Sequence, residues 1–334
     1  MKYAWKDAAG TTVNPLPTGA AIPGRILTTE IRYPTVRGSA GSETPGARAA
    51  TGGPFPVIVF AHGFDVSPSY YTPLLDAWVR AGFVVVSPIF PDASTEIIAS
   101  IGGPESTEGI HAEDDETYEP GDIPFVLKQL ASVAAVGSGS VLSGVVNLSE
   151  IGMAGQSDGA NVVAALSYGS YYSADLAAMP ARPKAVEILS GQALTPYTGG
   201  TNSYSATASS PALLQVQSNA DACNTPQLAT DLFAQLSGAP VHLFETLVGA
   251  PHLDPYVGTG RWASVVEKVT TEFFEVELGW HDKGLTLAKV QASATVPNVS
   301  SIASSNVSVP LARGATNCAS QLPTTTTTAS NATG

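Results

Sequence analysis

The stretch that decides the fold is MAGQSDGANVV, residues 153–163, in which Ser157 stands at the centre of a G-x-S-x-G pattern. The residues before it, SEIGMAG at 149–155, predict a short buried strand, and GANVVAALSYG at 159–169 predicts a helix. A serine between a strand and a helix, with glycine two positions away on each side, is typical of a sharp turn that presents the hydroxyl as a nucleophile. The alternative is an ordinary turn in a chain rich in glycine and serine, so the surrounding sequence has to decide.

Strand and helix patterns alternate around this turn. The runs PFPVIVFAHG at 54–63 and FVVVSPIF at 83–90 are apolar along their length, as expected for strands in the middle of a parallel sheet. Between them SYYTPLLDAWVRAG, at 69–82, has apolar residues at helical spacing and ends on a glycine. The same patterns predict helices at 121–133, 225–236 and 263–279 and strands at 185–191, 212–218 and 241–248. This order predicts a doubly wound, mostly parallel sheet flanked by helices in a single domain.

Composition divides the chain into four parts. Residues 1–24 form an N-terminal segment and 25–280 form the α/β domain; 281–320 form a C-terminal extension and 321–334 a Thr-rich low-complexity tail. The segments that interrupt the alternation are an early antiparallel strand at 26–34, a surface loop at 36–53, an acidic insertion at 101–120, a polar loop at 192–210 and an added edge strand expected near LTLAKVQASA, 285–294.

The charge of the chain limits its partners. A net charge of −13 and a pI near 4.7 repel phosphates, so nucleic acid is not an expected partner. No apolar run is long enough to span a membrane, and MKYAWKDAAG at the N-terminus lacks the apolar stretch of a signal peptide. We nevertheless expect a secreted or cell-surface protein, with its signal peptide absent from this sequence, because the 334 residues include only 15 Lys+Arg and two cysteines. We expect it to be a monomer.

The expected pairing of the two cysteines, Cys223 and Cys318, follows from the same reasoning. An exported chain with two cysteines usually pairs them, so we expect a disulfide that ties the C-terminal extension to the loop near residue 220. Two free or buried thiols are the alternative.

A serine hydroxyl needs a general base within hydrogen-bond reach to act as a nucleophile at neutral pH. His252, in LVGAPHLDPY, follows the strand at 241–248 and precedes the last long helix, which is the position expected of the base. A histidine with a purely structural surface role is the alternative. The other histidines lie in a turn upstream, in the acidic insertion, at the start of a strand and beyond the last helix; they are His62, His111, His242 and His281.

The base in turn needs an acid that fixes its tautomer. Asp221, in QVQSNADACNTP, follows the preceding strand, so that serine, aspartate and histidine come in the chain order expected for this kind of fold. Asp254 is too close to the histidine in sequence, and Asp231 falls within a predicted helix. Capping of a helix is the alternative role for Asp221.

An attacked ester carbonyl develops an oxyanion that needs preorganised N–H donors. The backbone N–H of Asp158, directly after the nucleophile, is one expected donor. The backbone N–H of Phe64, in the loop FAHGFDVSP that follows the first core strand, is the other. We expect His62 in this loop to be structural.

The acidic run EDDE at 113–116 raises the question of a calcium site. It lacks the spaced oxygen ligands of a calcium loop, so a solvated acidic patch is the better interpretation. We expect neither a metal nor another cofactor.

The motifs VIVFAHGF, GQSDGA, NADACN and GAPHLDP, in this order, resemble the α/β-hydrolase superfamily, specifically its dienelactone-hydrolase-like, chlorophyllase-like and cutinase-like polyester hydrolases. The resemblance covers residues 25–280 and implies the same triad and the same oxyanion donors. The chain departs from the cutinase-like pattern in having Gln156 before the serine instead of an aromatic residue, and in lacking a methionine after it. The serine also separates it from true dienelactone hydrolases, whose nucleophile is a thiol.

The expected activity is therefore a serine carboxylic-ester hydrolase with an open cleft, because no lid-sized apolar insertion separates the elbow from the acid loop. Polyesters are candidate substrates. A lipase, a phospholipase resembling platelet-activating-factor acetylhydrolase, and a non-catalytic ligand-binding member of the fold are the alternatives. The candidate substrate contacts are Phe64, Tyr70, Tyr71, Gln156 and Tyr197.

Overall fold

The structure is a computed structural model that describes the chain except for residues 13–21, 37–42, 92, 101, 105, 107–113, 197–199, 281–283, 316–317, 319–320 and 322–334. Its strands are β1 (Lys2–Thr12), β2 (Ile22–Arg32), β3 (Phe55–Ala61), β4 (Val84–Ile89), β5 (Val146–Gln156), β6 (Ala185–Leu189), β7 (Ala212–Ser218), β8 (His242–Leu247) and β9 (Ser300–Ala303).

All the described strands belong to one sheet, in the order β1-β2-β4-β3-β5-β6-β7-β8-β9. The strands from β4 to β8 in this order are parallel, whereas β1, β2 and β9 pair antiparallel at the two edges. Every residue of β3, β6 and β7 is buried, which explains the continuous apolar run of β3. The strands β6 and β7 bury polar side chains as well, among them Glu187 and Gln217.

The helices cover both faces of this sheet. They are α1 (Thr72–Arg80), α2 (Thr95–Ser100), α3 (Glu119–Ala134), α4 (Asp158–Tyr168), α5 (Ser173–Ala178), α6 (Pro226–Gln235), α7 (Asp254–Val257), α8 (Arg261–Glu277) and α9 (Leu287–Ser293), with 3-10 turns at Pro68–Tyr71 and Asp114–Tyr118. Apolar side chains of α3, α4 and α6 pack in one core cluster, and those of α1, α8 and α9 in a second. Two helical layers around one sheet confirm the predicted doubly wound fold in a single domain.

The structure differs from the sequence-based expectation near both ends of the chain, and it adds the short helices α2 and α5. The prediction of a strand at 285–294 is wrong, because Leu287–Ser293 forms the helix α9. Its Val290 is fully buried in the second core cluster. The edge strand of this region is β9, which pairs with β8 instead. The strand β1 was not predicted, and its pairing with β2 extends the sheet into the N-terminal segment 1–24.

Among the described residues, no helix is both long enough and apolar enough to cross a membrane.

Candidate active site

The G-x-S-x-G pattern forms the sharp turn between β5 and α4. Ser157 has φ 56° and ψ −122°, a conformation that an L-residue adopts only under strain. A Cβ atom on Gly155 would lie 2.0 Å from the carbonyl oxygen of Gly159, and one on Gly159 would lie 2.1 Å from that of Ala61. Both glycines are therefore required by close backbone contacts, and the turn has the geometry of a nucleophile elbow.

Three side chains that are distant in the sequence meet at the carboxyl ends of the parallel strands. The Nε2 atom of His252 lies 2.9 Å from the Oγ atom of Ser157, and its Nδ1 atom lies 2.8 Å from Oδ2 of Asp221. His252 is only 1% exposed and Asp221 is fully buried, whereas Ser157 is half-buried at the turn. The predicted residues thus form the hydrogen-bonded chain that a serine nucleophile requires.

The carboxylate of Asp221 is held by donors on both of its oxygens. Its Oδ2 atom accepts a bond from Nε2 of Gln217 at 3.0 Å in addition to that from the histidine. Its Oδ1 atom accepts the backbone N–H groups of Cys223 at 2.9 Å and Asn224 at 3.1 Å. Because Thr225, not Asp221, is the N-cap of α6, the helix-capping alternative does not describe this residue.

The loop after β3 is shaped by a buried histidine. The backbone N–H of Phe90 donates to Nε2 of His62 at 3.0 Å, so the other ring nitrogen carries the proton and donates to the carbonyl oxygen of Gly63 at 2.8 Å. Burial lowers the pKa of His62 to about 4, which keeps the ring neutral at neutral pH. These bonds hold the turn in which half-buried Phe64 follows Gly63, in agreement with the structural role expected for His62.

Two of the candidate substrate contacts, Tyr71 and Gln156, are buried beside His252 and Gly63. The Tyr71 hydroxyl accepts the backbone N–H of Gly63 at 3.2 Å and donates to Oε1 of Gln156 at 2.7 Å. The Nε2 atom of Gln156 lies 3.3 Å from Nε2 of His252. Both side chains are buried, at 0% and 1% exposure, and link the Gly63 loop to the ring of His252.

The remaining candidate contacts differ in accessibility. Phe64 and Tyr70 are half-buried, so part of each side chain can meet a ligand. Tyr197 lies outside the described residues.

The competing candidates take other positions. The ring of His242 stacks on that of Phe233 with centroids 3.6 Å apart, and the exposed Asp231 accepts a bond from Gln227 within α6. Asp254 begins α7. His111 and His281 lie outside the described residues.

One group of potential metal-ligating side chains occurs in the part of the chain that the structure describes: Asp221, Cys223 and His252. The Cys223 sulfur is bonded to Cys318, which confirms the predicted disulfide, and the other two side chains bond each other. These donor atoms are therefore already bonded to Cys318 or to each other, and the set does not fit a metal ion.

Sequence reasoning missed three glutamine and asparagine side chains around the acid. Gln217 was detectable in part, since the two glutamines in the largely apolar strand ALLQVQS indicate buried polar contacts. Asn224 donates from Nδ2 to the carbonyl oxygen of Ser190 at 2.6 Å. The third, Gln321, gives no signal in the sequence, although its side chain bonds the backbone of the acid and base loops.

A parallel sheet covered by helices on both faces, with a strained serine elbow after β5, defines the α/β-hydrolase fold. The predicted resemblance is thus confirmed for the fold. The sequence model of the chlorophyllase family matches residues 46–181, which run from the loop before β3 to just beyond α5.

Two solved structures share this fold with the chain. A ferulic acid esterase from Streptomyces cinnamoneus is 16% identical, with a TM-score of 0.58 over 85% of this chain and 91% of that one. A thermophilic esterase from the planctomycete Thermogutta terrifontis, with propionate bound, is 16% identical, with a TM-score of 0.51 over 83% and 97%. No curated protein sequence matches the chain.

Proposed function

We propose that the protein is a serine carboxylic-ester hydrolase in which Ser157 is the nucleophile, His252 the general base and Asp221 the residue that orients the base. The observation that carries the proposal is the pair of contacts made by the imidazole, 2.9 Å to the serine hydroxyl and 2.8 Å to the aspartate. Both are within the range over which a proton can be transferred or a tautomer fixed.

In the proposed reaction, Ser157 Oγ attacks the ester carbonyl carbon while its proton passes to Nε2 of His252. The imidazolium then gives this proton to the departing alkoxide, which leaves as the alcohol, and the acyl group remains on the serine. A water molecule, deprotonated by the same nitrogen, releases the acid and restores the serine. Asp221 accepts the Nδ1–H bond throughout, so Nε2 is free to accept a proton.

The oxyanion of each tetrahedral intermediate is proposed to bind the backbone N–H groups of Phe64 and Asp158. The elbow places Asp158 at the first position of α4, where the positive end of the helix dipole favours an anion. The bonds of His62 and Tyr71 to Gly63 support a preorganised loop at Phe64.

The comparisons support an ester as the substrate. The matching family is the chlorophyllases, and both similar structures are esterases, one of them bound to propionate. We further propose an open cleft that accepts polyesters, with Phe64 and Tyr70 as its aromatic contacts. Tyr71 and Gln156 act in this proposal as the buried support of the cleft.

We also propose that the protein acts outside the cell, as a monomer. The Cys223–Cys318 disulfide supports an oxidising environment. Since all three triad side chains come from one chain, the proposed site needs no second subunit.

The test is Ser157→Ala, with Ser132→Ala as the matched control because Ser132 is an exposed serine on α3. We expect Ser157→Ala to lower p-nitrophenyl butyrate hydrolysis by at least about 10³-fold and to abolish labelling by a fluorophosphonate, with unchanged circular dichroism. Ser132→Ala should retain both. Hydrolysis of the ester at the wild-type rate by Ser157→Ala would refute the assignment, and a wild-type chain that no fluorophosphonate labels would favour a non-catalytic binding protein.

A further inference from the structure

A single side chain from the C-terminal segment bridges the loops that carry the acid and the base. The Oε1 atom of Gln321 accepts the backbone N–H of Ala222 at 3.1 Å and that of His252 at 3.0 Å. Its Nε2 atom donates to the carbonyl oxygen of Ala220 at 3.0 Å. The three bonds therefore end on both neighbours of Asp221 in the chain and on the backbone of the base itself.

The Cys223–Cys318 disulfide holds this glutamine in place. Cys223 lies two residues after the acid, and Cys318 accepts the backbone N–H of Gln321 at 2.7 Å. A second backbone contact, from the N–H of Ala312 to the carbonyl oxygen of Asn219 at 2.6 Å, brings the same segment to the acid loop. The covalent link raises the effective concentration of Gln321 at loops that are 69 to 101 residues away in the sequence.

These bonds lie on the two loops that carry Asp221 and His252, the acid and the base of the proposed reaction. The proposed proton transfer depends on the acid and the base keeping their 2.8 Å contact while His252 changes charge. A displacement of about 1 Å at such a contact can lower a rate about 100-fold. Gln321 joins the two loops through backbone atoms, and so it restrains their separation without touching a reacting atom.

We infer that Gln321, tethered by the Cys223–Cys318 disulfide, is a positioning residue that sets the distance between the acid and base loops. The inference rests on the proposed ester-hydrolase function. It assigns the C-terminal segment a role in turnover beyond that of a covalent brace for the fold.

The test compares Gln321→Leu with Gln235→Leu in the full-length protein. Leucine has nearly the volume of glutamine but makes none of the three bonds, and Gln235 is an exposed glutamine at the end of α6. The fluorophosphonate titre counts active sites, so that kcat is expressed per active site. We expect Gln321→Leu to lower kcat for p-nitrophenyl butyrate about tenfold, to change KM less than about twofold and to leave the melting temperature nearly unchanged, while Gln235→Leu matches the wild type.

The tether is tested by the double variant Cys223→Ser/Cys318→Ser, alone and combined with Gln321→Leu, at a temperature where each remains folded. If the disulfide acts through Gln321, the double cysteine variant should have about the same kcat as Gln321→Leu. The combined variant should lose little more. Treatment of the wild type with dithiothreitol gives the same comparison without mutation, if a variant fails to fold.

Three results would overturn the inference. They are a wild-type kcat for Gln321→Leu, a loss of kcat matched by a lower melting temperature and a raised KM, and full additivity of the disulfide and Gln321 effects. A wild-type protein with no titratable serine would instead overturn the proposed function, so the two failures are distinguishable.

Discussion

Two kinds of buried carboxyl lie on the same sheet. Asp221 follows β7 and accepts four N–H donors. Glu187 on β6 and Glu245 on β8 are equally buried, but within the described part of the chain neither carboxyl has a hydrogen-bond partner. The Ser300 hydroxyl near Glu245 donates to the carbonyl oxygen of Ala294 instead.

The physical consequences of the two environments are opposite. Burial raises the pKa of Glu245 to about 8. Burial, and then the nearby Glu245, raise the pKa of Glu187 well above its usual value. Glu245 is thus predominantly protonated at neutral pH, and the raised pKa of Glu187 favours the protonated form of that carboxyl as well. Asp221 differs from both glutamates in accepting N–H donors on each of its oxygens. The comparison teaches that burial alone does not qualify an acid for the proposed role, which also requires N–H donors around the carboxylate.

The largest expected effect is on activity. Asp221→Asn leaves the shape of the site but removes the carboxylate that fixes the tautomer of His252, so kcat for p-nitrophenyl butyrate should fall about 10³- to 10⁴-fold. Glu187→Gln is the matched control, because it makes the same change of acid to amide at a buried position away from the triad. Similar losses in the two variants would contradict the distinction drawn between these acids.

The next effect is on stability. The glutamates bind protons in the folded protein that the unfolded chain, with the usual pKa of 4.5, releases. The contribution of these two glutamates to stability should therefore be fully present below about pH 4.5 and be lost as the pH rises, by a few kcal/mol between about pH 5 and about pH 8. Chemical denaturation followed by circular dichroism at several pH values measures this slope.

The variant Glu245→Gln separates the pH dependence caused by this buried glutamate from that caused by the other charged groups of the chain. Its free energy of unfolding should depend less on pH over the same range, whereas Glu96→Gln, at an exposed position on α2, should keep the wild-type slope. A slope that is identical in all three proteins would show that Glu245 is not the source of the pH dependence.

The smallest expected effect comes from removing one of the four N–H donors of Asp221, which brings its surroundings closer to those of the two glutamates. Gln217→Leu removes the donor 3.0 Å from Oδ2 of Asp221, and kcat should fall about tenfold or less because three other donors remain. Gln215→Leu is the control on the same strand, since Gln215 is also buried but donates to Ala229 in α6. Equal rates for the two variants would indicate that Gln217 contributes only to stability.

Much of the fold and of the candidate site was predictable because the signals are local. The alternation of apolar strands with amphipathic helices predicted the parallel centre of the sheet, with element ends that differ by a few residues from those observed. The glycines around Ser157 predicted the elbow, since the backbone approaches at Gly155 and Gly159 exclude any larger residue. The order of the loops then indicated Asp221 and His252.

The rest depended on contacts between distant parts of the chain. The segment Leu287–Ser293 was predicted as a strand because its few apolar residues fit either period, and only the packing of Val290 against the core resolves it as a helix. Tyr71 and Gln156 were candidates for substrate contact, but whether an aromatic or amide side chain faces the cleft or the interior depends on its neighbours in space.

The sequence by itself determined the class of fold, the sharp turn at the serine and the succession of the candidate triad residues, because each follows from hydrophobic period, glycine placement or chain order. Only the tertiary structure decided which buried acid is surrounded by donors, that Glu187 and Glu245 have none among the residues that the structure describes, and that Gln321 reaches the loops of Asp221 and His252. The reason is that a hydrogen bond acts over about 3 Å, and residues separated by tens of positions come within that distance only when the whole chain has folded.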